Sequence, residues 1–411
     1  MTLPDFQRMP GPSRNVYTTG GSLGEGDLAL DAWGTQRTTE DRSLFHGMWS
    51  FDIPPSMWFM FENGTQVYTS TNIISNNGVA QLTADATNTT VLLESREAPR
   101  YQPNRGHKIS LAGWFPNETN DGVRDFGAFT AENGVFFRLK ADGMLYAVLR
   151  RGGVEVLEEL IDTSPLTGFD VTKNNIYDIQ FQWRSAGNYK FFIGDPATGT
   201  SKLVHTFSLL GTLTSASIED PALPIAFKAT RTTQDVEMNL GCADITSEGG
   251  KIEIYQYASA YAEAVTVTSG TERPVLVVRS PLQINSQTNT RTTQLARISV
   301  KCDKKATFKF WLTRDPSLLT GATYKPIGNG VYIETDSPDM DATAVRATAA
   351  TTVGMQFLVA VPAEAQAWYQ VDNPIRESIN FPIVRGDYIV VTCNASANGA
   401  AEAVVEWGEA I

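Results

Sequence analysis

From Glu132 to Gly153 the chain reads ENGVFFRLKADGMLYAVLRRGG, and its apolar positions recur with a period of two. That spacing predicts two short strands around an Ala141-Asp142-Gly143 turn, since successive side chains of a strand point to opposite faces. In the first strand Val135, Phe137 and Leu139 share one face, and Phe136, Arg138 and Lys140 share the other. In the second, Met144, Tyr146 and Val148 alternate with Leu145, Ala147 and Leu149, so neither face is polar until Arg150 and Arg151. Such a strand needs cover on both sides, from a facing sheet or from a second subunit.

The same period recurs along the chain in KISLAGWF, IYDIQFQWR and YKFFIGD, separated by Gly, Asn, Asp and Pro. Strands this short and this regularly spaced predict an antiparallel sandwich. The clearest hairpin is DIQFQWRSAGNYKFFIGD, in which Ile179, Phe181 and Trp183 line one face. Ala186-Gly187-Asn188 forms its turn, and Tyr189, Phe191 and Ile193 return. Ser247-Glu248-Gly249-Gly250 is a polar, flexible break, which places a boundary near Gly250. Beyond it PVLVVRSP, QLARISVKC, ATFKFWLTR and GDYIVVTCNASANGAAEAVVEWGEAI are again strand-like. The Ala-rich MDATAVRATAATT reads as a helical turn or a loop, and VEVLEELID and AEAQAWYQV are short enough to be strands or single turns. The expectation is a mainly β chain of two antiparallel, jelly-roll-like sandwiches. An extended arm is expected over residues 1–27, a large sandwich over 28–252 and a smaller one over 253–411.

Composition narrows the partners. The chain has 411 residues, enough for two or three domains at ~150 residues each. A formal charge of −12 without a Lys/Arg cluster argues against a phosphate backbone as partner. No apolar run approaches the ~18 residues of a membrane span and the N-terminus has no apolar export region, so neither membrane nor nucleic acid is an expected partner. Cys242, Cys302 and Cys393 are odd in number and lack CxxC spacing. They read as small buried hydrophobes of a protein made in a reducing cytoplasm, without a zinc site or disulfide framework.

Catalytic candidates are few. His46, His107 and His205 are the only histidines, and there is no GxSxG, HExxH or Walker-type loop, so each histidine reads as a local hydrogen-bonding group. A glycosidase needs two carboxylates across a cleft, and Asp121, Asp125, Glu158 and Glu159 supply the type. However, Asp121-Gly122 and Asp142-Gly143 have turn chemistry, and VLEELID reads as a solvated edge. NETNDGVRD and DSPDMD come nearest to calcium loops, but the first lacks the acidic residue at its twelfth position and the second lacks the glycine at the bend. Trp49, Trp58 and Phe59 could stack a sugar, yet aromatics at this density usually form core or interface. Pro54-Pro55 would aim that cluster at a neighbour.

Several of these segments together resemble, in order, the motifs of a family of virion structural proteins in tailed bacteriophages. They are DAWGTQR (Asp31 to Arg37), RSLFHGMWSFD, RYQPNRG (Arg100 to Gly106), GVRDFGAFTAENGVFFRLKADGMLYAVLRR, IYDIQFQW, ITSEGG and the terminal VVEWGEAI. Trp33 stands where the family usually has Phe, and Thr35-Gln36 where it has a basic and an apolar residue. The resemblance implies a β-rich protein assembled on the particle, made in the bacterial host cytoplasm, without cofactor. It leaves open head, collar or tail.

The residues agree with a structural role. The expectation is a protein that is not an enzyme and is inactive on polysaccharides, with no catalytic, cofactor-binding or metal site. Its expected partners are further copies of itself, a trimer before a dimer, and capsid or tail proteins. The alternative is a receptor-recognition module of a tail fibre or baseplate that binds a host-surface glycan. The arm carries three prolines with Leu3, Phe6, Met9, Val16 and Tyr17 as anchors, and is expected to order against a partner.

Overall fold

The computed structural model describes residues 41–103, 105–116, 122–248, 255–284, 286–291, 293–313, 325–326, 332–334, 361–363, 369–372 and 382–410. The arm over 1–27, the DAWGTQR box, the boundary near Gly250, MDATAVRATAATT and DSPDMD lie outside the described residues. The chain is mainly β, with stacked antiparallel sheets.

Between residues 41 and 248 run β1 (Asp41–Met48), β2 (Trp58–Glu62), β3 (Thr65–Val67), β4 (Ile73–Asn76), β5 (Val79–Ala84), β6 (Thr90–Ser95), β7 (His107–Trp114) and β8 (Gly122–Phe129). They are followed by β9 (Gly134–Leu139), β10 (Leu145–Arg151), β11 (Val154–Leu160), β12 (Asn175–Gln182), β13 (Asn188–Gly194), β14 (Ser201–Ser208), β15 (Ile225–Arg231) and β16 (Val236–Glu248). One sheet has the order β14-β13-β12-β7-β16-β5-β4, and β1 pairs with the second half of β16. The other has the order β11-β10-β9-β8-β15-β6-β2-β3. Local turn chemistry sets much of this register. Asn63-Gly64 and Asn77-Gly78 have positive φ at both positions and close two-residue hairpins, the geometry that the twist of paired strands favours.

The two sheets pack face to face through the side chains that the period-two pattern sets inward. Val135, Phe137 and Leu139 of β9 and Leu145, Ala147 and Leu149 of β10 lie in one core with Tyr177, Ile179 and Phe181 of β12 and Tyr189, Phe191 and Ile193 of β13. Phe137 stacks on Phe126 at 5.3 Å within its own sheet and meets Phe191 edge-on at 5.1 Å across the gap. The facing sheet therefore covers one face of β10. The β12–β13 turn differs from expectation by a residue or two: Asn188 already pairs with Gln182, and positive φ falls at Arg184, Ser185 and Gly187.

Beyond residue 255 the described residues form two larger antiparallel sheets, one around Tyr255–Val267, Gly399–Ala410 and Thr293–Cys302, the other around Glu272–Arg279, Tyr388–Ala395 and Ala306–Thr313, and a two-stranded ribbon of Gln283–Ile284 with Gln287–Thr288. Among the described residues, every strand pairing stays within 41–248 or within 255–410. Cys302 and Cys393 are buried here, but Cys242 is exposed on β16. That corrects the expectation for the third cysteine, whose strand position turns its side chain away from the core. VEVLEELID contains a strand, β11, and the end of AEAQAWYQV enters another, Tyr369–Asp372.

Candidate functional site

Among the described residues of the first unit, the outward face of the second sheet carries a dense set of interlinked charged groups. On β8, β9 and β10 the residues that alternate with the core are Asp125, Phe129, Phe136, Arg138, Tyr146, Val148 and Arg150. Phe129, Phe136 and Val148 are nevertheless buried, in a small cluster with Ala226 of β15. Their cover is a layer of ion-paired side chains. The guanidinium of Arg150 lies 4.9 Å from the Phe136 ring centroid and 5.8 Å from that of Phe129, and that of Arg138 lies 5.4 Å from Phe136. A guanidinium is planar and weakly hydrated, so it can spread over an aromatic face and still use its edge for carboxylates.

Those carboxylates come from β8 and from the edge strand β11. Arg138 donates to both oxygens of Asp125, Nε at 2.7 Å and Nη2 at 3.0 Å, in a two-pronged contact. The same Nη2 donates to Glu155 at 3.2 Å, and Arg138 Nη1 lies 3.6 Å from Glu158, which also pairs with Lys140. Arg150 donates to Glu155 at 2.8 Å and to the Thr130 carbonyl at 3.0 Å. Burial alone would lower Arg138, but hydrogen bonding and charge from Asp125 and Glu155 outweigh it and fix the cation. Burial likewise works to raise Glu155, yet Arg150 and then Arg138 bring it down to about 2.

This sets what the face can do. The proton donor of a glycosidase needs a carboxyl held protonated by a raised pKa, and Glu155 is driven the opposite way. Its chemistry is charge pairing. The cluster ties the edge strand to the sheet and keeps the aromatic strip dry.

Of the four carboxylates singled out from sequence, Asp125 and Glu158 meet around Arg138, Glu159 lies elsewhere, 3.4 Å from His205, and Asp121 lies outside the described residues. The histidines are scattered. His46 is exposed on β1, and His107 is buried against Tyr101 and Phe181, where burial lowers it to about 4. His205 is also lowered by burial, with Glu159 opposing. Among the described residues no group of three or more His, Cys, Asp or Glu is placed to hold a metal ion, and no helix is long and apolar enough to cross a membrane.

Trp49 and Trp58 are buried with Phe45 and Phe227, so the tryptophans point into their own core and not at a neighbour. Outward in that segment are Phe51, 98 % exposed, and Met48. Sequence reasoning missed Arg138, Arg150 and Glu155 as a group. The signal was present in Arg150-Arg151-Gly152-Gly153-Val154-Glu155, where a two-residue turn sets Arg150 across from Glu155.

No family model matches the chain, and no curated protein matches it. Solved structures do. An endo-β-1,3-glucanase from Pyrococcus furiosus is 10 % identical with a TM-score of 0.39, covering 52 % of this chain and 97 % of that one. A structure from work on endo-acting O-glycanases of the human gut microbiota that initiate mucin breakdown is 12 % identical, with a TM-score of 0.37 and coverage of 50 % and 99 %. An immunostimulatory antigen and pseudo β-1,3-glucanase of Mycobacterium tuberculosis is 12 % identical, with a TM-score of 0.35 and coverage of 51 % and 99 %. The expectation that this chain is not an enzyme is corrected here, because glucanases and O-glycanases stand among the structures it resembles. At these identities and TM-scores the likeness brings neither a substrate nor a catalytic residue to this chain.

Proposed function

We propose that the chain is a structural component of a tailed-bacteriophage virion, assembling on the particle as a capsid decoration or as part of a collar, tail or fibre through protein–protein contacts. What supports the reading is the use made of the residues that carry the resemblance. Several of their described side chains build scaffold. Phe45 and Trp49 fill the core, and the Tyr101 hydroxyl accepts the Trp183 backbone N–H at 2.9 Å. Asp125, Arg138 and Arg150 form the ion-paired face.

The decisive experiment is cryo-EM of the intact particle with this chain traced in the map. Density for it at fixed sites, in copies related by the particle's symmetry, is expected. Its absence from purified, infectious particles sinks the proposal. Trimers, and contacts to capsid or tail proteins, are read from the same map. Binding of the purified chain to host-surface glycan, with no place in the particle, would favour the receptor-recognition alternative as a free protein.

A further inference from the structure

The two units touch through a set of buried charges. At the end of β6 stand Glu94, Ser95 and Arg96, and from the turn before Tyr388–Ala395 come Arg385 and Asp387. Glu94 pairs with Arg385, and Arg96 lies 3.4 Å from Asp387, so each unit supplies one cation and one anion. Arg385 also donates to the Ser95 carbonyl at 3.4 Å, and Arg96 to the Pro55 carbonyl at 2.5 Å. Both guanidiniums lie against Phe59 of β2, whose ring centroid is 4.1 Å from Arg96 and 5.0 Å from Arg385. All five side chains are buried. A second contact lies beside them, where Thr290 donates to Asp220 at 2.6 Å.

We infer that this cluster is a latch that holds the two units as one rigid body. A buried ion pair contributes little net stability over an apolar contact, because desolvation offsets attraction, but its directionality admits few arrangements. Two crossed pairs gripping one ring fix the angle between the units as well as the contact. An apolar patch of the same size would allow them to slide. Removing one partner leaves the other charge buried and unpaired, a state relieved most directly by parting the units.

The test uses the full chain with one spin label on the exposed native Cys242 and one on Lys304→Cys in the second unit, Cys302 and Cys393 being buried. Double electron–electron resonance should give a single narrow distance peak. Arg385→Met should lose that peak to a broad distribution while far-UV circular dichroism is unchanged, and Arg297→Met, at an exposed pair within the second unit, should keep it. Should Arg385→Met fail to fold, Glu94→Gln replaces it and the same loss is expected. A broad distribution in the parent chain, or a narrow one that survives in the folded latch variant, overturns the inference.

Discussion

Single residues differ widely in how much of the fold rests on them. Phe137 is fully buried and touches rings from both sheets, so Phe137→Ala should cost about 3–5 kcal/mol, read from the urea midpoint at unchanged slope. Phe51→Ser, at an exposed ring, should stay within about 0.5 kcal/mol. His107 gives a pH signature. Burial lowers it from 6.5 to about 4, so as pH falls the unfolded chain takes up the proton first. Its contribution is full above 6.5, is lost between 6.5 and 4, and amounts to on the order of 3 kcal/mol. His107→Phe should flatten the stability–pH curve in that window; coincident curves would show that the buried imidazole is not its source. Glu155 acts lower, its contribution being present above 4.5 and lost as pH falls towards 2.

Strands β8 to β11 show how elements depend on one another. Gly127 faces Phe136 so closely that an added Cβ would sit 2.6 Å from that residue's Cα, and Gly127→Ala should cost about 1–3 kcal/mol through forced separation of β8 and β9. Arg138→Leu should cost about 3 kcal/mol, because it leaves Asp125 buried without its two-pronged partner. Both are read by denaturant unfolding. The alternation that defines β9 and β10 is plain in the sequence, as is the turn at Asp142-Gly143, where Asp142 accepts the Met144 N–H at 2.8 Å. What covers the second apolar face is not plain. Arg138, Lys140 and Arg150 read locally as polar punctuation, and become a lid only because β11 folds back with Glu155 and Glu158 in register.

At the scale of the whole molecule, the first pairing among the described residues sets Asp41 opposite Glu248 at the end of β16. From the arm's composition of three prolines and scattered apolar residues, deletion of Met1 to Gly26 is expected to leave far-UV circular dichroism and melting unchanged while incorporation into particles falls. Normal copy number with the truncated chain would remove the arm as the docking element. The exposed Phe51 and Met48 of the neighbouring segment would then be the next surface to test.

The sequence by itself determined the β class, the inward faces of β9, β10, β12 and β13 and the turn at Asp142-Gly143, because these follow from a period of two and from residues that tolerate positive φ. Only the tertiary structure decided which charges meet. Arg138 and Glu158 lie on strands two positions apart in the sheet, and Glu94 and Arg385 are 291 residues apart in the chain, so neither encounter leaves a local pattern. An ion pair depends on register, twist and the docking of separate sheets, none of which any short stretch of residues encodes.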